Sequence, residues 1–307
     1  MSALASFDRR EPAHAVALVR VVYGLAVAGH LGRMWWSGAW RWVWTGPDDG
    51  GLVSTIPGLL DHAGGATPQN VQAAMAVGML AALAMAAGLF TPLAVAAVAL
   101  AWAVLSHLGP NAGGSYDHLG GAVLWVMIFS GSGGAWSVDA WIRRRRGRAE
   151  ALAPAPIRWL LWWQLVVMYD STAWHKLSAG WVPWGNLDAL WYILQQPTWH
   201  HASMQWMAPF YRLTQVGTLA TWCFEHAAPL LVLAAWYRHT RARAGWLRAQ
   251  FNRVDFRLPF LAFGLVLHLS IEATLEVGAF SPFTLALYVA CFSGEEVRRA
   301  FTPRPSG

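Results

Sequence analysis

The stretch from Tyr169 to Leu177 places three ionisable side chains, those of Asp170, His175 and Lys176, at the end of an apolar run. The run starts near Ile157 and is long enough to cross a bilayer, so these groups arrive together at or just inside one membrane face. An ionisable residue there costs about 2.5–3.5 kcal/mol on insertion scales unless it is paired or hydrated. Because such residues are seldom kept without a use, this stretch is the first candidate for chemistry.

Lys176 has two interpretations. In the first it is a snorkelling lysine, whose long stem lets the charged amine reach the interface from a helix end. In the second the amine is partly buried and held neutral by the loss of solvation, and a neutral amine is a general base. A carboxylate close by, such as that of Asp170, would oppose the second interpretation because it favours the charged amine.

Histidines and carboxylates also occur in other apolar segments. His268 and Glu272 are four residues apart and share one helix face, a spacing that metal ligands use. Further ligands would have to come from elsewhere, with His107 and His118 as candidates. One such pair is weak support for a metal, so we expect a hydrogen-bonded pair between helices and no metal site.

Two charged residues lie deeper in apolar segments. Arg20, in the first segment, is expected to neutralise a carboxylate of the bundle, which the sequence does not identify. Glu225 and His226 are adjacent in a later segment and cannot share a helix face, so at most one of them faces any given site. His30 is a further polar residue of the first segment.

The composition is that of a membrane protein. Of 307 residues, 56% are hydrophobic and only 12% are charged, and the mean hydropathy is +0.35. The 21 tryptophans gather at segment ends, where amphipathic indoles favour the membrane–water boundary. The formal charge of +6 comes from clustered basic residues, which indicates membrane orientation and not nucleic-acid binding. Two cysteines exclude a disulfide framework, and no nucleotide-binding or hydrolase motif is present.

Eight apolar segments must position these residues, and a spanning helix needs about 20 residues. They are 14–36, 71–89, 92–108, 117–134, 157–177, 213–237, 258–276 and 279–293. We therefore predict an all-α fold, a polytopic transmembrane helical bundle of about eight spanning helices. It forms a single integral-membrane domain over residues 1–307, with no separate soluble domain.

The basic clusters predict the orientation. They precede the first segment, follow the fourth, lie between the sixth and seventh, and follow the last. With eight spans every cluster falls on the side of the N-terminus, which the positive-inside rule makes cytoplasmic. We predict a multi-pass protein of the cell inner (plasma) membrane with cytoplasmic N- and C-termini. Two tryptophan-rich connections, 37–70 and 178–212, then form interfacial helices on the outer side.

Four stretches resemble the membrane part of vitamin K-dependent gamma-carboxylase, the horizontally transferred transmembrane (HTTM) domain. The opening Pro12 to Gly24 is similar to that domain's start, in which an apolar residue and Arg precede an aromatic-Gly pair. Trp136-Ser137-Val138-Asp139 resembles the close of its fourth helix, and Ala173 to Trp181 resembles its Lys-Leu and Trp stretch. His268 to Phe280 resembles its late helix. The resemblance covers residues 12–293 and is identified by the order and spacing of these pieces.

The resemblance implies chemistry on a lipid-soluble quinol. In that family the lysine of the Lys-Leu stretch, here Lys176, is taken as the base that deprotonates reduced vitamin K. Oxygen then converts the quinol to an epoxide through a strongly basic alkoxide, which removes a proton from glutamate before carbon dioxide adds. A histidine before the fourth helix is also implicated in the family. Its position here is Tyr116, with His118 two residues on, and the family's large luminal region has no counterpart in this chain.

Our leading hypothesis is a membrane enzyme of the gamma-carboxylase type with an outward-opening hydrophobic cavity. The expected catalytic residues are Lys176, His118, Tyr116, His268 and Glu225, and the residues expected to bind the menaquinol-like quinone are His175, Trp174, Trp181 and Asp170. The partners are the lipid bilayer, the quinone and a small peptide substrate, with no nucleic acid. One alternative is a non-catalytic partner for maturation of, or immunity to, a secreted peptide, and another is a proton-coupled small-solute transporter using Asp170, Glu225 and Glu272.

Overall fold

The computed structural model describes residues 8–53, 58–109 and 113–302. Its helices are α1 (His14–Ser37), α2 (Trp40–Trp44), α3 (Pro68–Ala87), α4 (Thr91–Leu108), α5 (Ser115–Met127), α6 (Val138–Arg145), α7 (Ala155–His175), α8 (Ala189–Gln195), α9 (Tyr211–His226), α10 (Pro229–His239), α11 (Trp246–Arg253), α12 (Arg257–Thr274), α13 (Phe280–Tyr288) and α14 (Gly294–Phe301). Two short strands, β1 (Arg10–Pro12) and β2 (Leu152–Pro154), pair antiparallel. The predicted all-α fold is confirmed.

Each of the eight predicted apolar segments contains a helix, but the number of spans is smaller than predicted on length and apolarity. Within the described residues, four helices are long and apolar enough to cross a membrane: α1, α3, α4 and α12. A fifth span results if the stretch Gln205–His226 and α10, which bend by 44° at their junction, count as one. The count of about eight spans is therefore not confirmed.

The chain divides into two compact units, and the boundary falls inside α7. The first comprises residues 1–162 and 278–307, and the second comprises residues 163–277. The prediction of a single domain over the whole chain stays a prediction.

In the first unit α1 lies at the centre and packs against α3, α13 and α14, while α4 packs against α3 and α5. The approach of α1 to α3 is closest at Gly24, where a Cβ atom would lie 2.7 Å from the carbonyl oxygen of Ala82. Glycine is needed there because any side chain would separate the two helices. Tyr23, one residue earlier and fully buried, stacks on Phe283 of α13 with ring centroids 4.5 Å apart.

Arg20 is fully buried near the start of α1. Its Nη2 donates to the backbone oxygen of Trp136 at 2.6 Å, and the charge of Asp139 acts on it through space. Asp139 also accepts hydrogen bonds from the backbone nitrogens of Phe90 and Thr91, at 3.0 and 2.8 Å. The Asp139 carboxylate therefore caps the start of α4 and also contributes favourable charge near the buried guanidinium.

Two of the stretches that suggested the family resemblance, around Arg20 and from Trp136 to Asp139, thus meet in space. Gly88 joins them: it ends α3 with a φ of +69°, and its carbonyl oxygen accepts from the backbone nitrogen of Asp139 at 3.0 Å. A Cβ atom on Gly88 would overlap the Arg20 guanidinium. The second and third apolar segments are joined by this tight turn between α3 and α4.

In the second unit, α9 packs against α8 and α12, and α10 packs against α11. An apolar cluster of Leu194, Met204 and Leu275 is surrounded by partly buried Leu190 and Ile271. The short helix α8 lies in the tryptophan-rich connection 178–212. These elements hold the last third of α7, which carries the residues that first indicated chemistry.

Candidate functional site

Lys176 comes directly after the last residue of α7 and forms an ion pair with Glu225 of α9. The lysine Nζ donates a hydrogen bond to the glutamate Oε1. The Glu225 side chain is 8% exposed and that of Lys176 is 20% exposed. The pair is therefore largely withdrawn from water, with the lysine side chain as the more accessible partner.

An aromatic ring covers the amine. Lys176 Nζ lies 4.8 Å from the ring centroid of Trp181, within range of a cation–π interaction. Trp181 is held in the turn after α7 by a hydrogen bond from its backbone nitrogen to the backbone oxygen of Ser178, at 2.9 Å. The turn thus brings the indole back over the lysine that precedes it.

Lys176 is also the single lysine of the sequence, because the 22 basic residues comprise 21 arginines and this one lysine. Arginine stays protonated under all physiological conditions, whereas an amine can lose its proton when its surroundings favour that. The one basic side chain of this chain that can serve as a proton acceptor in the manner of an amine therefore lies next to a buried carboxylate.

A second buried polar pair joins α7, before its end, to α12. The hydroxyl of Tyr169 is 2.6 Å from Nε2 of His268, which belongs to α12. Tyr169 is 2% exposed and His268 is 1% exposed. Tyr169 lies in the last two turns of α7, seven residues before Lys176 in the chain.

Aromatic rings form the wall beside these two pairs. Phe224, next to Glu225 in the chain, packs edge-on against Tyr169 with centroids 4.9 Å apart. It also stacks on Phe260 of α12 at 4.4 Å. The site in the second unit is therefore a set of two polar pairs among aromatic side chains, supplied by α7, α9 and α12.

Of the four residues expected to bind the quinone, Asp170, His175 and Trp174 lie outside this set. The carboxylate beside Lys176 is that of Glu225 and not that of Asp170, which makes no ion pair within the described ranges. His175 is exposed, and its Nδ1 contacts the backbone oxygen of Ser171 at 2.7 Å. Trp174 is 62% exposed and lies 6.1 Å from the His226 ring. Trp181 alone of the four expected quinone-binding residues contacts the amine.

In the first unit, Tyr116 and His118 lie on α5 and differ in their surroundings. Tyr116 lines a cavity of about 180 Å³ together with His30, Trp102 and Asp117. The His30 ring is 5.5 Å from that of Tyr116 and 5.7 Å from that of Trp102. His118 is exposed and lines a neighbouring depression. At this cavity the imidazole is supplied by α1, through His30.

The metal alternative receives no support from the described part of the chain. No group of three or more His, Cys, Asp or Glu side chains is close enough there to hold a metal ion. His268 is bonded to Tyr169 of another helix, whereas Glu272 is exposed on the same helix. The expected hydrogen-bonded pair between helices exists, but its partner is Tyr169.

Sequence reasoning missed Tyr169 and Trp102 as parts of these sites. The signal for Tyr169 was its position in the last two turns of α7, in the same stretch as Lys176. Trp102 could not be found from the sequence, because it belongs to the cavity only through the packing of α4 against His30, Tyr116 and Asp117. Chemically, the Lys176–Glu225 contact places an amine, which can accept a proton when it is neutral, in direct hydrogen-bond contact with a buried carboxyl group.

Comparison with known proteins adds one match. The sequence model of the HTTM domain matches residues 8–221, about two thirds of the chain. The match includes Arg20, Trp136–Asp139 and Lys176, whereas Glu225 and His268 lie beyond its end. No curated protein and no solved structure matches the chain.

Proposed function

The chain belongs to the HTTM domain family, and from this premise we propose that it is an integral membrane enzyme similar to vitamin K-dependent gamma-carboxylase, using a lipid-soluble quinol and oxygen. The observation that carries the proposal is the ion pair between Lys176 and buried Glu225 beneath Trp181. The substrate is a small peptide or another lipid-accessible molecule, modified by carboxylation or a related reaction. The membrane is the inner (plasma) membrane, with both termini cytoplasmic.

The residues present fit a quinol. Its hydroxyl needs a proton acceptor that a lipid-soluble molecule can reach, and the Lys176 side chain keeps 20% of its surface accessible. Its ring needs aromatic contacts, which Trp181 and the neighbouring aromatic side chains can provide. When bound, a reduced quinone of the vitamin K type supplies, together with oxygen, a base strong enough to remove a proton from a carbon acid.

The proposed roles of the chain's own residues follow from the pair. With one proton shared, Lys176 is a neutral amine while Glu225 is a carboxylic acid, and Nζ can then accept a proton from a hydroxyl group. The proton that the hydroxyl group loses is then held on Nζ, and the ammonium formed in this way is stabilised by the Trp181 ring face. Tyr169 and His268 form a second polar pair that holds the α7 face against α12.

The test is oxygen-dependent epoxide formation from reduced menaquinone by the purified protein, read by mass spectrometry. Lys176→Ala should abolish the epoxide, but it leaves Glu225 buried without its cation, which costs about 3–5 kcal/mol for a buried pair. Lys176→Arg is therefore the sharper variant. It keeps a cation beside Glu225 and under Trp181, yet arginine cannot accept a proton. We expect folded Lys176→Arg protein without epoxide.

The single lysine permits a second, independent measurement. An amine-reactive reagent can modify only Lys176 and the N-terminal amine, and peptide mass spectrometry separates the two. Because only the neutral amine reacts, the modification rate reports its population. Glu225→Gln should change that rate at fixed pH, since it removes the proton-sharing partner. An unchanged rate would show that Glu225 does not govern the protonation of Lys176.

Absence of epoxide from well-folded wild-type protein would contradict the quinol proposal and favour the alternatives. A maturation or immunity partner would retain function in Lys176→Ala and lose it on substitution of Trp181, Trp184 or Trp191. A transporter would show proton-coupled uptake in liposomes that depends on Asp170, Glu225 or Glu272.

A further inference from the structure

The connection between α10 and α12 is strongly basic. Residues 238–257, which we call the basic connection, contain six arginines and one acidic residue, Asp255. It joins two apolar elements, because α12 is a candidate span and α10 is the second half of the bent pair. A segment that joins two spans lies where lipid headgroups meet water.

One face of α11, inside the basic connection, is fixed to the end of α10. The Phe251 ring packs edge-on against that of Tyr237 with centroids 5.4 Å apart, and Asn252 Nδ2 donates to the backbone oxygen of Tyr237 at 3.1 Å. The guanidinium of Arg248 lies 5.2 Å from the Tyr237 ring centroid and donates to the Ala244 oxygen at 2.7 Å. These side chains contact other parts of the protein, and their contacts hold α11 in one orientation.

The opposite face of α11 carries apolar and basic side chains together. Trp246 and Arg253 are seven residues apart and therefore lie on the same side of the helix. Trp246 is 73% exposed. Leu247, which follows Trp246, and Val254, which follows Arg253, are 50% and 61% exposed. Exposed tryptophan and aliphatic side chains beside arginine are typical of a helix that lies in the membrane interface.

The arginines of the basic connection fall into two groups. Arg238 and Arg257 are paired with Asp255 at 3.0 and 2.8 Å. Arg241, Arg243 and Arg253 are exposed and make no ion pair in the part of the chain that the structure describes. Their charge is thus available to an anion outside the protein.

We propose that the basic connection binds the headgroups of anionic phospholipids, with Trp246 at the acyl boundary and Arg241, Arg243 and Arg253 on the phosphates. The guanidinium fork matches phosphate oxygens in geometry as well as charge. Each basic residue near an anionic surface strengthens binding about five-fold. The lipid charge complements the arginines, while its acyl chains accommodate the exposed apolar side chains. The inference does not depend on the quinol chemistry.

The experiment uses full-length protein in mild detergent, titrated with phosphatidylglycerol or phosphatidylcholine and followed by native mass spectrometry and by the thermal unfolding midpoint. The test variant is Arg241→Gln/Arg243→Gln/Arg253→Gln. The matched control, Arg144→Gln/Arg146→Gln/Arg148→Gln, removes the same charge from exposed arginines of the other unit. We expect the test variant to bind phosphatidylglycerol at least about ten-fold more weakly, and the control to bind it nearly as wild type does.

Three outcomes would overturn the proposal: equal binding of both lipids by the wild type, equal weakening in both triple variants, or the same stabilisation by inorganic phosphate as by phosphatidylglycerol. The second would mean diffuse attraction by net charge, and the third a site for the free anion. Trp246→Ala separates the apolar contribution. It should weaken binding of phosphatidylglycerol without changing the salt dependence, because it removes no charge.

Discussion

Lys176 differs chemically from every other cationic side chain of the sequence, because all 21 of the others are arginines. A guanidinium next to Glu225 would form a permanent ion pair, whereas an amine forms one that can transfer a proton. The sequence predicted Lys176 and Glu225 as separate candidates. It could not predict that they are partners, since 49 residues separate them and contact depends on how α7 packs against α9.

The Tyr169–His268 pair should contribute to stability independently of any chemistry at Lys176. Tyr169→Phe keeps the ring in its aromatic surroundings but removes the hydroxyl from a site where both partners are buried. Loss of one partner of a buried hydrogen bond costs about 1–3 kcal/mol. We expect a lower thermal unfolding midpoint in detergent. Tyr192→Phe, at a tyrosine 60% exposed, is the control and should leave the midpoint unchanged. Equal midpoints for wild type and Tyr169→Phe would mean that the pair is energetically silent.

Asp255 should make the stability of the second unit depend on pH. Burial of this carboxyl works against its charged form, but hydrogen bonds and charge from Arg257, with the charge of Arg238, outweigh burial and lower its pKa below the ordinary value of 3.8. A carboxyl whose pKa is lower in the folded protein stabilises it above the unfolded pKa, and this stabilisation is lost as pH falls through the folded pKa.

Asp255→Asn should therefore lower the unfolding midpoint at pH 7 by an amount equivalent to at most about 1 kcal/mol, since the pair is only partly buried. The difference from wild type should narrow below pH 3.8 and close once the pH is below the folded pKa. Asp49→Asn, at an exposed aspartate of the other unit, is the control. A difference that stays constant from pH 7 to pH 3 would exclude a contribution from ionisation.

At the scale of elements, two helices of the first unit end in the same way but in different surroundings. Gly38 and Gly88 follow α1 and α3, with φ of +73° and +69°. A Cβ atom on Gly38 would meet nothing within 4 Å, whereas one on Gly88 would overlap Arg20 and Ser137. The two positions therefore separate backbone strain from crowding.

Gly38→Ala should cost about 1–2 kcal/mol of stability, the cost of a left-handed conformation for a residue with a Cβ atom. Gly88→Ala should cost about 1–3 kcal/mol more, because the added methyl displaces the Arg20 guanidinium from the carbonyl of Trp136. Thermal unfolding of both variants checks the difference. Similar unfolding midpoints for Gly38→Ala and Gly88→Ala would show that the turn at Gly88 can shift to accommodate a methyl group. The position of Arg20 would then not depend on that turn.

Hydropathy located a helix in each of the eight apolar segments but not where some of them break. The sixth segment, 213–237, is interrupted between α9 and α10, where Pro229 begins the second helix. The fourth, 117–134, ends as a helix at Met127, before a turn at Gly131 with a φ of +64°. Apolar composition continues through both breaks, so a hydropathy pattern cannot register them. The Gly and Pro residues at these points were the available signal.

Polar residues in α7, the helix that precedes Lys176, make the number of membrane spans difficult to count from hydropathy. Helix α7 has 21 residues, about 32 Å at 1.5 Å per residue, close to the thickness of the hydrocarbon core. It is not among the four candidate spans, since Arg158, Gln164, Asp170 and His175 lower its hydropathy. A helix that carries a functional site is thus the hardest to recognise as a span from composition.

The even number of spans with both termini on one side is a prediction that cysteine accessibility can test. The two native cysteines, Cys223 and Cys291, are first replaced by serine, and single cysteines are introduced at Asp48, Arg146, Trp184 and Arg243, all of which are exposed. A membrane-impermeant maleimide applied to intact cells should modify the first and third of these positions. It should reach the second and fourth only after permeabilisation, because the positive-inside rule places the arginines in the cytoplasm.

Each neighbouring pair of reporters tests one element. Arg146→Cys and Trp184→Cys flank α7, so modification of both from the same side would show that α7 does not span the membrane. Trp184→Cys and Arg243→Cys flank α9 and α10, and the same result there would mean that the bent pair enters and leaves by one face. Either result would move the Lys176–Glu225 pair relative to the two membrane surfaces. In the first case Lys176 would face the cytoplasm, and the proposed small-peptide or lipid-accessible substrate would have to reach it from that side.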